Sequence, residues 1–196
     1  PFLTINGAPV DWADVTTRQR LEDGYLPIAT TRWQGQGWVL DSTAFAEAEG
    51  DTPRLLGRWQ IRNESDQPRT FTLTLAVRPF QVNPPAQFLA QRGGVSPIAA
   101  LRWSGSHLLN RQPGPVDGDP PVDRLLTPMI TPQSVGMGGF DQGALATPET
   151  LTLATAVDDE THMAQARMSW TIRLAPGDHF DVPVAFAGSA PADFDA

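Results

Sequence analysis

Arg54-Leu-Leu-Gly-Arg-Trp-Gln-Ile-Arg-Asn-Glu-Ser-Asp-Gln-Pro-Arg-Thr-Phe-Thr-Leu-Thr-Leu-Ala-Val77 is the stretch that decides the fold. Leu55, Gly57, Trp59 and Ile61 alternate with Leu56, Arg58, Gln60 and Arg62. Beyond the polar turn Asn63–Pro68, Phe71, Leu73, Leu75 and Val77 alternate with Thr70, Thr72, Thr74 and Ala76. Successive side chains of a strand point to opposite faces, so a period of two with one apolar side marks a strand lying over a core. The stretch predicts an antiparallel hairpin in an all-β domain. No catalytic motif of comparable strength occurs elsewhere.

Working outward, the same pattern returns near the C-terminus. Ala164, Ala166, Met168, Trp170, Ile172 and Leu174 alternate with polar residues. After the turn Ala175-Pro-Gly-Asp178, so do Phe180, Val182, Val184 and Phe186. Pro183 lacks an amide donor and predicts an edge strand or an outward-facing amide. Leu26–Trp33 and Gly37–Ala46 predict a further hairpin with Gln34-Gly-Gln-Gly37 at its tip. Phe2–Ile5, Ser96–Trp103 and Thr150–Val157 read as strands, and Gln112–Pro121 and Met129–Gly143 as irregular. Asp14–Leu21 is the best helix candidate. Many strands with regular turns, several of them long, predict a large antiparallel sandwich of two sheets spanning residues 1–196 as one domain.

Composition narrows the function. The chain has 196 residues, 22 acidic against 14 basic side chains and a formal charge of −8. Every basic residue is Arg. Phosphate binding needs a basic stripe, so a nucleic-acid partner is disfavoured. An Arg-only surface suits carboxylate or sugar contacts. The absence of cysteine excludes disulfides, thiol catalysis and Cys-ligated metals. No apolar run is long enough for a membrane span, and no signal peptide is evident. The start at Pro1 and the loose Ala190–Ala196 end suggest a piece excised from a longer protein.

Candidate chemistry is sparse. His107, His162 and His179 are scattered without metal-ligand spacing. Glycoside hydrolysis needs two carboxylates at a set separation; Asp41, Glu47, Asp141 and Glu149 are available, but acidic residues are abundant. Asp158-Asp-Glu160 and Asp117-Gly-Asp119 read as solvated turns before calcium loops. Ser104-Gly-Ser106 lacks the nucleophile elbow, and Gly136-x-Gly138-Gly139 lacks the strand–helix setting of a phosphate loop. Asn63-Glu-Ser65 matches a glycosylation sequon and equally a hairpin turn. Six Trp against one Tyr is the compositional hint of sugar stacking. Trp33 and Trp38 flank the Gly-rich tip and are the candidate platform, with core packing as the plainer reading. Trp59 and Trp170 fall on apolar faces, and Trp12 and Trp103 are undecided.

At Asp23-Gly-Tyr-Leu-Pro-Ile28, Trp33, Asp41-Ser-Thr-Ala-Phe-Ala46 and Arg78-Pro-Phe-Gln-Val-Asn-Pro-Pro85, the chain resembles the supersandwich (galactose-mutarotase-like) β-domain. That domain precedes an (α/α)6 barrel in several glycoside hydrolases and phosphorylases, including bacterial multidomain proteins with a discoidin-type domain. The resemblance implies a non-catalytic domain that packs on a C-terminal catalytic barrel of the same chain, contacts carbohydrate and can form a homodimer. It implies no cofactor or metal, and favours a periplasmic or extracellular address. The prolines of Arg78–Gly94 stiffen a backbone carrying Arg78, Gln81, Asn83, Gln87, Gln91 and Arg92, which makes this the expected contact stretch; a loop crossing between sheets is the alternative. An autonomous carbohydrate-binding module using Trp33 and Trp38 is the second functional reading. A mutarotase-type enzyme is the third, although no His and Glu motif of that activity maps onto this sequence.

Overall fold

The computed structural model of the chain describes residues 1–49, 52–80, 94–114, 118–142 and 151–187. These residues form fourteen strands. The first seven are β1 (Phe2–Ile5), β2 (Ala8–Pro9), β3 (Thr16–Glu22), β4 (Leu26–Gly35), β5 (Trp38–Glu49), β6 (Thr52–Asn63) and β7 (Arg69–Val77). The remainder are β8 (Ala100–Trp103), β9 (Leu108–Gln112), β10 (Val122–Pro128), β11 (Ser134–Gly138), β12 (Ala156–Asp158), β13 (Gln165–Leu174) and β14 (His179–Ala187). The only helical segments among the described residues are two 3-10 turns, Trp12–Asp14 and Phe140–Gln142. One antiparallel sheet has the order β11-β13-β7-β1-β2, the other β12-β8-β9-β10-β14-β6-β5-β4-β3. The fold is an all-β sandwich.

Contacts divide the chain into two compact units. The first comprises Pro1–Leu73, Leu126–Gln133 and Ser169–Gly188. Its core is the apolar side predicted from sequence: Leu40, Ile61, Phe71, Leu73, Trp170, Val182 and Val184 are all buried. Each such side chain contributes about 1.5–3 kcal/mol when removed from water. The Trp170 indole N–H also donates to the Ile130 carbonyl (3.0 Å), so the buried ring leaves no orphan donor. The second unit comprises, among the described residues, those within Thr74–Leu125 and Ser134–Met168. Ile98, Leu101, Leu108, Leu109, Met137 and Met168 form its core.

The deciding stretch is two strands, but not a hairpin. β6 lies between β14 and β5, whereas β7 lies between β13 and β1 in the other sheet. The Asn63–Pro68 turn therefore arches from one sheet to the other. The pair β13–β14 does the same through Ala175–Asp178. Alternation reports which side of a strand is buried and is silent on the strand's neighbour, so a hairpin and an arch look alike in sequence. Asn63 ties the two arches together. Its amide donates to the carbonyls of Gln67 (2.8 Å) and Leu174 (3.0 Å). Its side-chain oxygen accepts from the Ser65 N–H (3.1 Å) and hydroxyl (2.7 Å). The Asn63 N–H donates to the Asp178 carbonyl, and the Gly177 N–H to the Asn63 carbonyl. Asn63 is 0% exposed. The sequon is thus a turn device, with no room for a glycan on that amide.

Several local expectations are corrected. Asp14–Leu21 is not helical. Asp11 caps the short turn Trp12–Asp14 in a reciprocal box with Asp14, and β3 follows at once. β14 is not an edge strand, since it sits between β10 and β6. Pro183 is tolerated because its carbonyl accepts from the Met129 N–H (2.9 Å). An antiparallel residue's N and C=O face the same neighbour, so the missing donor points where β10 runs out at Pro128. Met129–Gly143, expected to be irregular, contains β11. The strand expected over Thr150–Val157 shortens to β12. By contrast, Leu26–Ala46 is the hairpin expected, with Gly35 opposite Trp38. A Cβ on Gly35 would fall inside the Trp38 indole, which explains the glycine.

Candidate functional site

In the first unit, five strands of the nine-stranded sheet present one polar face. Their register aligns Arg18, Arg32, Asp41, Gln60 and Asp181 in one row across β3, β4, β5, β6 and β14. The next row is Arg20, Thr30, Thr43, Arg58 and Pro183. On the other side lie Thr16, Gln34, Val39, Arg62 and His179. Apart from Pro183 and the buried Val39, these residues are the polar partners of the alternation. They face away from Leu40, Ile61 and Val182 because neighbours along a strand point oppositely.

Four carboxylates on this face are engaged. Arg32 grips Asp41 through two bonds, Nε to one oxygen (2.8 Å) and Nη2 to the other (2.6 Å). The Asp41 side chain is 12% exposed. This fork is the strong form of an Arg–carboxylate pair, and the hydrogen bond to Asp41 outweighs desolvation and raises the Arg32 pKa further. Asp181 accepts from the Gln60 amide at 3.1 and 3.2 Å, with Arg58 at 3.6 Å and His179 at 3.5 Å. Glu22 pairs with Arg20 at 3.1 Å, and Glu47 with Arg54. The Thr30 and Thr43 hydroxyls are hydrogen-bonded at 3.0 Å.

A groove of about 410 Å³ opens on this face. Thr30 and Thr43 line it together with Ile28, Phe45, Leu56 and Met129, and Arg20, Glu22 and Arg58 supply charge. Apolar walls with a few convergent polar groups on rigid strands are the usual makings of a small-ligand site.

The residues singled out from sequence lie elsewhere. Trp33 and Trp38 are 7% and 4% exposed, so they are packed inside the sandwich and offer no open ring at the hairpin tip. The exposed indole is that of Trp12, which meets Trp33 edge-on with centroids 4.7 Å apart. Arg78 is half-buried, with its guanidinium 5.5 Å from the Phe80 ring centre. Gln81, Asn83, Gln87, Gln91 and Arg92 lie outside the described residues.

Other candidates resolve into structure. Asp158 is held by Arg102 at 2.7 and 2.8 Å. Asp159 accepts from the N–H groups of Phe140 (2.5 Å) and Thr161 (2.8 Å) and from the Thr161 hydroxyl (2.6 Å). Gly136 and Gly139 allow close approach to the Leu151 and Thr152 carbonyls and to Asp159 respectively. Glu149 and Asp117 lie outside the described residues. Among the described residues no group of three His, Asp or Glu could hold a metal ion, and no helix is long and apolar enough to cross a membrane. What sequence reasoning missed was that Arg18, Arg20, Arg58 and Arg62 share one sheet face with Gln60 and Asp181. The signal present was the Arg at every fourth position of β6, Arg54, Arg58 and Arg62.

No protein-family model matches the chain, and no curated protein matches it. The fold does recur within larger solved structures. A chain assigned as a kojibiose phosphorylase from the human microbiome aligns with 95% of this chain over 21% of its own length, with TM-score 0.51 and 10% identity. A polysaccharide lyase aligns with 98% of this chain over 26% of its own, with TM-score 0.51 and 12% identity. The chain therefore spans about a fifth to a quarter of the length of these two proteins. At such identities the likeness is one of fold: a sandwich of this kind occurs as part of both longer proteins.

Proposed function

We propose that the chain is a non-catalytic β-domain of a larger carbohydrate-active protein, and that the polar face of its first unit contacts sugar beside a catalytic domain of the same polypeptide. One observation carries this reading. Four carboxylates beside the groove are already committed, Asp41 to Arg32, Asp181 to Gln60, Glu22 to Arg20 and Glu47 to Arg54. A general acid or base must be free to exchange a proton with a bound substrate. A binding surface has no such need. Paired charges on fixed strands keep hydrogen-bonding groups in place at little entropic cost on binding. The mixture of threonine hydroxyls with Ile28, Phe45 and Leu56 suits a ligand carrying both hydroxyls and C–H faces.

The test pairs turnover with binding. The purified chain, incubated with aryl glycosides, sugar phosphates and single anomers of common hexoses, is expected to produce neither hydrolysis nor accelerated anomer exchange. Titration with a panel of oligosaccharides is expected to perturb the NMR signals of the Thr30 and Thr43 methyl groups. Turnover that survives repeated purification would end the non-catalytic reading, and a panel that leaves both threonines unmoved would end the sugar contact.

A further inference from the structure

The apolar face of β4, β5 and β6 is core at one end and open at the other. Along β5 it carries Trp38, Leu40, Ser42, Ala44 and Ala46, since alternate residues share a face. The first two are buried, Ser42 is half-buried, and both alanines are exposed. β4 repeats the gradient from buried Trp33 through half-buried Thr31 to exposed Ala29. β6 runs from buried Ile61 through half-buried Trp59 to Leu55, which is 45% exposed. The register makes the open ends neighbours. Leu21, Ala29, Ala44 and Gly57 form one row across β3, β4, β5 and β6, and Ala46, Leu55 and Phe186 form the next across β5, β6 and β14. Neither row carries a polar side chain. The opposite face at this end is the groove, with Ile28, Phe45 and Leu56. Alternation therefore fails here: Ala44-Phe-Ala46, Leu55-Leu56 and Val184-Ala-Phe-Ala187 are apolar on both sides. Strands that read in this way are ordinarily covered on both faces.

From this we infer that the open patch docks the apolar side of an α-helix in the polypeptide that continues beyond β14. The inference rests on the reading of the chain as a domain of a larger protein. Three observations choose that occupant. First, the chain leaves at the patch. β14 closes at Ala187, opposite Arg54 and next to Phe186, so whatever follows starts beside this surface at a high effective concentration. Second, the patch is small. By strand and row spacing it covers roughly 300 Å², less than half of the about 800 Å² that each partner gives to a standard association. A second copy or a free protein needs more, whereas a tethered segment does not. Third, the patch is a trough. Ala29, Ala44 and Ala46 make a floor without bulk, Leu21 stands on one side, and Leu55, Trp59 and Phe186 stand on the other. A Cβ on Gly57 would come within 3.0 Å of the Trp59 ring and 3.4 Å of the Phe186 ring, so both rings lean over that glycine and complete the wall. β3 and β6 are three strand spacings, roughly 14 Å, from each other, which admits one helix of about 10–12 Å diameter.

The chain has no cysteine, so a single introduced thiol reports its own exposure. Ala46→Cys lies on the trough floor, and Gln36→Cys lies at the exposed β4–β5 turn, at the other end of the same strands. In the isolated chain both are expected to react readily with a maleimide. In the longer polypeptide that carries the sequence beyond Ala196, labelling of Ala46→Cys should slow at least tenfold while Gln36→Cys keeps its rate. Adding Leu55→Asp should leave the isolated chain folded and restore labelling of Ala46→Cys in the longer polypeptide. A photocrosslinking p-azidophenylalanine in place of Tyr25, an exposed ring in the β3–β4 turn at this end of the sheet, should capture a peptide beyond Ala196 with apolar residues at i, i+3, i+4 and i+7. Equal labelling of Ala46→Cys in the two polypeptides overturns the inference and leaves the sugar contact of the groove, which is tested on the isolated chain, standing. Protection that appears in the isolated chain and deepens with its concentration overturns it in favour of a second copy. A crosslink confined to residues 1–196 overturns the assigned occupant. A coding sequence that stops at Ala196 overturns this inference and the larger-protein reading together.

Discussion

Removing the Asn63 side chain should be among the most damaging single polar substitutions in the first unit, and its size can be worked from the bonds it makes. Asn63→Ala deletes two donated and two accepted hydrogen bonds at a residue with no exposed surface. The partners differ in their access to water. Gln67 is exposed, so its carbonyl can be rehydrated, and the half-buried Ser65 can be rehydrated in part. Each of these bonds costs about 0.5 kcal/mol, the low end for an intramolecular hydrogen bond that water can replace. The Leu174 carbonyl is buried between the arches and is left without its partner, which costs about 1–3 kcal/mol. The sum is about 3 kcal/mol. Urea unfolding followed by Trp fluorescence measures it as a lower midpoint at unchanged slope. Asn63→Asp supplies a control with a distinct signature. It keeps the size and the acceptor but turns an acceptor towards two carbonyls, so the folded state favours the protonated acid. A carboxyl whose folded pKa is raised gives stability that is present below its unfolded value and is lost as pH rises through the folded one. The Asp variant should therefore be weakest near neutrality, recover as pH falls through its raised folded pKa, and be fully recovered by about pH 4, the unfolded value. A loss under 1 kcal/mol for Asn63→Ala, or a pH-independent deficit for Asn63→Asp, would refute the idea that this amide stitches the arches.

Other perturbations are smaller in scope. Asp159 lies below the ordinary carboxylate pKa: burial pushes it up, but the Thr161 hydroxyl and the amides of Phe140, Thr161 and Met163 outweigh burial. Its contribution should be present above the unfolded value and fade as pH falls through the folded one, and Asp159→Asn should flatten that acid limb of the melting temperature. Gly35→Ala places a methyl against the buried Trp38 ring and should cost about 1–3 kcal/mol, read as a lower midpoint with a shifted Trp emission. A double-mutant cycle on Arg32 and Asp41 should return a coupling of about 1 kcal/mol, modest because the Arg32 side chain is 43% exposed; a coupling near zero would show that the fork is not maintained in solution.

The fold was legible where one strand's own pattern sufficed. Ile61, Phe71, Leu73, Trp170, Val182 and Val184 were assigned to the core side from alternation alone, and all are buried. The connections were not legible in the same way. β6 and β7 differ in sheet, and nothing between Asn63 and Pro68 distinguishes an arch from a hairpin except the long-range bond from Asn63 to Leu174, 111 residues away. For the tryptophans the plainer reading, core packing, is the one the structure has. Trp33 and Trp38 flank a glycine-rich tip, which made them the stacking candidates, but Gly35 is there so that the Trp38 ring can lie flat across the backbone opposite it. The site was written in the strands as Arg58, Gln60 and Arg62, plain solvent-facing residues. Only the register, which joins Gln60 to Asp181 across 121 residues, made them parts of one surface.

That register also separates two explanations of the arginines. β3 is the last strand of its sheet, and edge strands commonly carry charge to discourage pairing with another chain. Arg18 and Arg20 could be accounted for on those grounds alone. Arg58 and Arg62 could not, because β6 is hydrogen-bonded on both sides, to β5 and β14. A guanidinium on a central strand protects no edge. It occupies a position that a threonine or glutamine would fill with less like-charge repulsion from Arg32 and Arg54. Strand protection therefore does not explain every arginine on this face, and Arg20 and Arg58 line the groove. If edge defence were the whole account, Arg20→Ala would promote self-association and Arg58→Ala would do nothing. If the face is a binding surface, the two substitutions should act alike on ligand affinity, and neither should change the oligomeric state measured by light scattering.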